Sequence, residues 1–313
     1  MARALVFPGQ GSQAVGMGRA LYDAFPAARE TFEEVDDALG QNLARLVFEG
    51  PGDELTLTEN AQPALMAVSL AVVRVLEDEG GVSVAGIAGF VAGHSLGEYS
   101  ALAAAGALGL ADTARLLRRR GLAMQAAVPV GEGAMTALLG LDLDAAVAVA
   151  DEAGSEGVCE VANDNAPGQV VLSGATAAIE RAMELAKEKG AKRALPLPVS
   201  APFHCSLLEP AAEDMAEALA EVTLRAPEPA LVANVTAEAV AEPEAIRRLL
   251  VEQVTRRVRW RESVLYMKAH EIETLIEIGA GKVLGNLARR INPDLDGVSL
   301  LEPDAVGTFL ETL

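Results

Sequence analysis

Gly89-Phe90-Val91-Ala92-Gly93-His94-Ser95-Leu96-Gly97-Glu98-Tyr99 sets a serine between two glycines where one residue pattern gives way to another. The apolar run 84–92 predicts a buried strand, and the Ala/Leu-rich segment 96–108 predicts a helix. A Gly-x-Ser-x-Gly turn between strand and helix is the setting in which this pattern exposes a nucleophile. So tight a turn leaves no room for a Cβ two residues either side of Ser95, which accounts for Gly93 and Gly97. The first N–H groups of the helix, beginning with Leu96, then face an oxyanion formed beside Ser95 Oγ. Glu98 suits the helix dipole and needs no chemical role. The bare pattern also occurs as an inert glycine-rich turn; the strand and helix around it favour a nucleophilic Ser95.

With 313 residues, 51% of them hydrophobic, the chain builds one large core or two unequal domains. It carries 45 acidic against 25 basic residues, a net charge of −20 that argues against nucleic acid as a partner. No uncharged apolar run is long enough for a membrane span, and the first residues lack signal-peptide organisation, so a cytoplasmic protein is expected. Cys159 and Cys205 are far apart and lack metal-ligand spacing, so they read as free thiols; neither a disulfide framework nor a metal site is expected. Two basic clusters stand out on this acidic chain: Arg115, Arg118, Arg119 and Arg120, then Arg247, Arg248, Arg256, Arg257, Arg259 and Arg261. They mark either a dock for an anion or solvated helix faces.

Residues 3–7 read as a first strand ending in Pro8-Gly9-Gln10-Gly11-Ser12-Gln13. The glycine spacing imitates a dinucleotide-binding turn, but that fold needs a second strand ending in an acid about 20 residues on, and 26–39 is a helical pattern instead. The Gln10 loop either lends a backbone N–H to a neighbouring site or is a plain turn. Residues 64–76 form a long apolar helix, preceded by Gln62-Pro63, where Gln62 is a cap or a polar group aimed at a pocket. Residues 112–127 are helical; Arg118 and Arg119 read as solvated, whereas Gly121 beside Arg120 leaves space for a ligand or another backbone. From 134 onward, strands at 134–141, 158–162, 169–173 and 194–199 with helices at 143–153 and 176–189 spell β-α-β-β-α-β, a ferredoxin-like unit over residues 129–198. A turn at 163–168 joins its middle strands and faces the cleft. The segment 199–205 returns to the main region, where helices at 207–221, 243–254 and 260–270 surround strands at 231–236 and 274–278. Gly279-Ala280-Gly281-Lys282 lacks the spacing of a P-loop.

A serine nucleophile needs a base, and the chain has three histidines. His94 adjoins Ser95, so the two side chains diverge; His270 ends a surface helix; His204 sits on a constrained loop, in the Ser-before-His order of α/β acyl enzymes. No feature selects an acid, although Asp164 lies between the two, and a backbone carbonyl serves equally to orient the imidazole.

With these residues placed, the chain resembles the malonyl-CoA:acyl carrier protein transacylases of bacterial type II fatty acid synthesis. The likeness runs through Phe7-Pro8-Gly9-Gln10-Gly11-Ser12-Gln13, Gly93-His94-Ser95-Leu96-Gly97-Glu98-Tyr99-Ser100, Arg120-Gly121, Met124-Gln125, Asn165, Pro202-Phe203-His204 and Glu277-Ile278-Gly279. It implies an α/β-hydrolase-like core (1–128 and 199–313) with an inserted ferredoxin-like subdomain (129–198). It also implies a Ser95–His204 dyad, an oxyanion hole from Gln10 and Leu96, and a bidentate grip of Arg120 on the malonyl carboxylate. Gln62, Met124 and Asn165 would line the substrate site, and Phe203 would crowd out a 2-methyl branch. Malonyl-CoA and holo acyl carrier protein are the implied partners, with no cofactor beyond the CoA thioester itself. The chain departs from many relatives in having Arg259 in Val258-Arg259-Trp260 where they have Gln; the resemblance assigns the histidine's orienting carbonyl to that position and leaves the Arg259 side chain for the carrier protein. Two other readings use the same residues. A serine hydrolase would pass the acyl group to water, and a non-catalytic acyl-CoA or carrier-binding module would keep the pocket without needing Ser95.

Overall fold

The computed structural model describes residues 2–313 as a mixed α/β protein with two sheets. Ten strands occur in the order β1 (Arg3–Phe7), β2 (Phe90–Gly93), β3 (Gly133–Leu139), β4 (Cys159–Ala166), β5 (Gln169–Ala175), β6 (Arg193–Pro196), β7 (Leu231–Val232), β8 (Ala239–Val240), β9 (Thr274–Ile278) and β10 (Asp296–Leu300). The larger sheet runs β10-β9-β1-β2-β7-β8, parallel except for β8. Its central strands read as continuous apolar runs because helices cover both faces. The helix Thr58–Gly80 is buried along nearly its whole length on one face, and Trp260, Val264 and Met267 of the helix Trp260–Ala269 pack on the other.

The smaller sheet, β4-β5-β3-β6, is antiparallel. Helices Leu143–Ala153 and Thr176–Glu188 share one apolar cluster with Leu138, Val170 and Leu172. The β-α-β-β-α-β order expected over 129–198 is the order observed.

Several expectations change. Residues 84–92 are not one strand: Ser83 Oγ accepts from Gly86 N, capping a short helix Val84–Ile87, and the strand starts only at Phe90. The apolar helix begins at Thr58 rather than 64, with Pro63 inside it, so Gln62 is a helix-interior residue and not a cap. The expected turn 163–168 is mostly strand. β4 continues to Ala166 because the segment around Val258 supplies partners, Val258 N donating to Ala162 O at 2.8 Å and Asp164 N to Val258 O at 3.0 Å. The strand expected at 231–236 stops at Val232. Residues 296–300 and Pro303–Leu310 add a strand and a helix that periodicity had not marked.

Glycine is required where the two halves of the site meet. A Cβ on Gly97 would overlap the Phe7 carbonyl oxygen, and one on Gly93 would overlap the Gly97 backbone. Gly121 allows another backbone, not a ligand, to approach, since its Cβ would lie 2.5 Å from Glu59 Cα. Overpacking against immobile backbone costs about 2 kcal/mol or more, so Gly97→Ala is expected to lower the denaturant-unfolding free energy by at least that much. Gly154→Ala, with nothing within 4 Å and α-helical φ and ψ, should change it by less than about 0.5 kcal/mol.

Candidate active site

Three neighbouring parallel strands deliver the site at their carboxyl ends, the usual place for ligands in such sheets. β1 leads to Gln10, β2 to Ser95 and β7 to Asn234; Phe7 pairs with Gly93, so the first two loops leave the sheet at the same level. Ser95 has φ 54°, a left-handed conformation unusual for a residue with a Cβ. Its strain is held by neighbours: Ser95 N donates to Asn234 Oδ1 at 2.8 Å, and Asn234 Nδ2 donates to Gly93 O at 2.7 Å.

His204, also left-handed at φ 60°, brings Nε2 to 2.8 Å from Ser95 Oγ. Its Nδ1 lies 2.8 Å from the Gln253 carbonyl oxygen, which only accepts, so Nδ1 carries the proton and Nε2 presents a lone pair to the serine hydroxyl. This is the tautomer a general base needs. The carbonyl is that of Gln253, not of Arg259. The Arg259 carbonyl is taken by Ser263, and its guanidinium is bound to Glu262 and to the Val235 and Thr236 carbonyls. The departure at Val258-Arg259-Trp260 therefore leaves the Ser95–His204 hydrogen bond untouched. Asp164 pairs with Arg261 at 2.9 Å instead of with a histidine.

Arg120 is 1% exposed. Its Nη1 donates to Gln62 Oε1 at 2.8 Å, and Nη2 donates to Gln253 Oε1 at 2.8 Å and Ser95 Oγ at 3.2 Å. Burial of a guanidinium beside neutral oxygens is costly, and no carboxylate lies within ion-pair distance among the described residues. The remaining cations of the basic clusters are mostly spent inside the protein: Arg119 on Asp214, Arg118 on Asn60 and Gln41, Arg247 on Glu244, Arg259 on Glu262.

A cavity of about 390 Å³ opens over Ser95, lined among others by Gln10, Gln62, Arg120, Met124, Phe203 and His204. Leu96 also lines it, and the backbone N–H groups of Gln10 and Leu96 have no recorded acceptor within the described chain. Asn165 does not line this cavity. Its Oδ1 is 2.8 Å from His94 Nε2, and Asn163 lines the space instead; residues two apart share a face of a regular strand, but the pairing of β4 is irregular between Asp164 and Ala166, which breaks that alternation. A larger cavity of about 670 Å³ beside Glu160, Ser206 and Arg256 contains none of these groups.

Sequence reading missed Gln253 and Asn234. Gln253 carried a signal: with Ile246, Leu249, Leu250 and Val254 it continues the apolar stripe of the helix Pro243–Thr255, where a polar residue is out of place. Asn234 stands in a run of small apolar residues with no such periodic mark. Among the described residues no group of metal-ligating side chains and no helix long and apolar enough to cross a membrane occurs.

A serine at a strand-to-helix elbow, hydrogen-bonded to a histidine and facing a cavity that holds a buried cation, is an arrangement suited to acyl-group chemistry. Residues 4–291 match the family described as acyl transferase domain. The chain is 46% identical over 311 residues to a malonyl CoA-acyl carrier protein transacylase of Bacillus subtilis (strain 168), covering 99% of this chain and 96% of that one. An acyl-carrier-protein-S-malonyltransferase from Bartonella henselae superposes with a TM-score of 0.98 at 55% identity, over 100% of this chain and 99% of that one. A malonyl-transacylase solved in complex with its type II PKS acyl-carrier protein superposes at 0.96 with 42% identity, over 100% of both chains. The protein belongs to the acyl transferase family that contains the malonyl CoA-acyl carrier protein transacylases.

Burial, then the Arg120 charge, push His204 down to about 3, and burial lowers His94 as well. A histidine held neutral in the native state destabilises it as pH falls below the unfolded value near 6.5, because only the unfolded chain takes up the proton. His204→Gln is therefore expected to raise Tm relative to wild type by more at pH 5 than at pH 8 in a thermal-unfolding series.

Proposed function

We propose that the protein moves the malonyl group from malonyl-CoA to the phosphopantetheine thiol of holo acyl carrier protein through a malonyl ester on Ser95, and so supplies fatty acid synthesis. Arg120 carries this reading. The carboxylate of a malonyl group is one methylene from the thioester carbonyl that reacts, so a cation that recognises it must lie next to the nucleophile. Arg120 Nη2 is 3.2 Å from Ser95 Oγ, and no carboxylate of the described residues reaches it within ion-pair distance. A plain esterase or thioesterase gains nothing from such a cation, and a binding module gains nothing from a serine and histidine in hydrogen-bonded register.

In the first half-reaction Ser95 Oγ attacks the thioester carbonyl as its proton passes to His204 Nε2, and the Gln253 carbonyl steadies the imidazolium. The oxyanion is taken by the N–H groups of Gln10 and Leu96. Collapse breaks the C–S bond, and the imidazolium proton leaves on the CoA thiol. In the second half, His204 takes the proton of the carrier thiol, which attacks the Ser95 ester; collapse breaks the Ser95 O–C bond and the imidazolium proton returns to Ser95 Oγ. Two effects tie recognition to reactivity. A malonyl carboxylate on Arg120 draws Nη2 away from the serine oxygen, and it offsets one of the charges that depress His204. The imidazole thus becomes a stronger base when the correct acyl group is seated.

Met124 and Gln62 form the wall behind the acyl group, with Gln62 Nε2 donating to Thr58 Oγ1 at 3.0 Å and its Oε1 kept for Arg120. Asn165 acts indirectly, by holding His94. Phe203, 8% exposed beside His204, narrows the space at the 2-position. The finer architecture belongs to the same proposal: an α/β-hydrolase-like core, up to residue 128 and from 199 onward, with a ferredoxin-like insert at 129–198. The strand order of the smaller sheet and the parallel elbow-bearing sheet support it. Two unpaired, buried thiols support a reducing cytoplasmic setting.

Intact-protein mass after brief mixing with malonyl-CoA should show a malonyl-sized increment on wild type and none on Ser95→Ala, and holo carrier protein should remove it with stoichiometric formation of malonyl-carrier. Release of free malonate instead would favour the hydrolase. Arg120→Ala should lower kcat/KM for malonyl-CoA by about 100-fold, the scale of truncating one partner of a buried charged pair. Phe203→Ser should raise the use of methylmalonyl-CoA relative to malonyl-CoA by about tenfold, the scale of accommodating one carbon; an unchanged ratio would exclude the steric role.

A further inference from the structure

Arg120 is buried, and the acceptors that hold its charge are all neutral: Gln62 Oε1, Gln253 Oε1 and Ser95 Oγ. Its Nε has no partner, and the Tyr99 ring lies 5.7 Å from the guanidinium carbon. A carboxylate reaches it through one intermediary: Glu98, 1% exposed and one helical turn beyond Ser95. Gln253 stands between the two. Its amide nitrogen donates to Glu98 Oε2 at 2.7 Å and to the Ser95 carbonyl at 3.0 Å, its amide oxygen accepts from Arg120, and its main-chain carbonyl accepts from His204.

An amide can be seated in two orientations, and its neighbours choose between them. An ionised Glu98 only accepts, so it holds the NH₂ end and turns the oxygen toward the cation. Resting on the acyl-transfer reading above, we propose that Glu98 is a positioning residue for the reaction: it locks the Gln253 amide in the orientation that seats Arg120, and it supplies the counter-charge that the acyl carboxylate replaces when the malonyl group is bound.

The groups facing the Glu98 carboxyl define what replacement does. Gln253 from the helix Pro243–Thr255 and Asn234 after β7, whose N–H donates at 3.2 Å, are neutral donors. Arg120 from the helix Leu110–Ala127 and Tyr99 from the helix of Glu98 itself are the ionisable neighbours. Burial pushes Glu98 up to about 7, against the opposing pull of those donors and of Arg120. A malonyl carboxylate on Arg120 cancels that last pull and adds a like charge, so Glu98 rises further and takes up a proton. The neutral carboxyl keeps an oxygen for Gln253 but no longer competes for the cation. The acyl exchange itself is proton-neutral below the thiol range, since the Ser95 proton leaves on CoA as the C–S bond breaks and the O–C bond forms. Proton uptake on acylation is therefore a signature separate from the chemistry.

The test mixes wild type with one equivalent of malonyl-CoA at pH 7.5, in weak buffer with a pH indicator, and counts the adduct in the same sample by intact mass. Roughly half a proton is expected to disappear from solution per adduct formed, falling to none at pH 5.5, where Glu98 is already protonated. Glu98→Gln, neutral at every pH and able to present either end of its own amide, should form the adduct without uptake. Its KM for malonyl-CoA should rise about tenfold, with a smaller change in kcat. Full adduct on wild type without proton uptake, or an unaltered KM in Glu98→Gln, would overturn the proposal. If that variant does not fold, the wild-type uptake decides alone. Absence of any adduct on wild type would instead overturn the acyl-transfer reading beneath it.

Discussion

The backbone of Gly97 lies against the carbonyl of Phe7, closer than any side chain would permit, and the position of Ser95 follows from that contact. Because β1 and β2 pair in register through Phe7 and Gly93, the chain must reverse direction within the few residues that follow, and Ser95 takes up the left-handed conformation at the apex. Asn234 then holds the serine from the next strand along. The serine is placed by backbone packing in the centre of the sheet, and the other site groups are brought to it.

What is brought is a concentration of buried ionisable groups. Arg120, His204 and Glu98 are each buried, and the Arg120 charge opposes the rise of Glu98 while it pushes His204 down. Low dielectric makes such couplings strong and makes an unpartnered group expensive. The molecule meets this with one residue, Gln253, whose amide nitrogen, amide oxygen and main-chain carbonyl bond Glu98, Arg120 and His204 respectively. Removing a charge from this set, by substitution or by binding an opposite one, is felt by the rest.

The second sheet is joined to the first by more than its two chain connections. Hydrogen bonds between β4 and Val258 extend that strand into the seam and turn Asn163 toward the cavity, while Leu197 and Val199 at the return to the core line it from the same side. The cavity above Ser95 is thus walled by both sheets, and its shape depends on a backbone pairing between segments roughly a hundred residues apart.

Local pattern carried much of this. β1, the helices Pro26–Leu39 and Leu143–Ala153, and β9 stand where periodicity and capping residues put them, because each answers to its own neighbours in the chain. Gly93, Ser95 and Gly97 were readable for the same reason: a tight turn has a local steric requirement. His204 was reachable by elimination among three histidines. The carbonyl that orients it, the serine-holding role of Asn234, the exchange of Asn165 for Asn163 at the cavity, and the pairing of the surface arginines were not readable, since each depends on contacts between distant segments. The sequence alone determined which side chains are available, a serine at a tight turn, a histidine and an arginine beside a glycine. Tertiary structure decided their charge states and hydrogen-bond partners, because burial and orientation are properties of the packed chain and of no segment by itself.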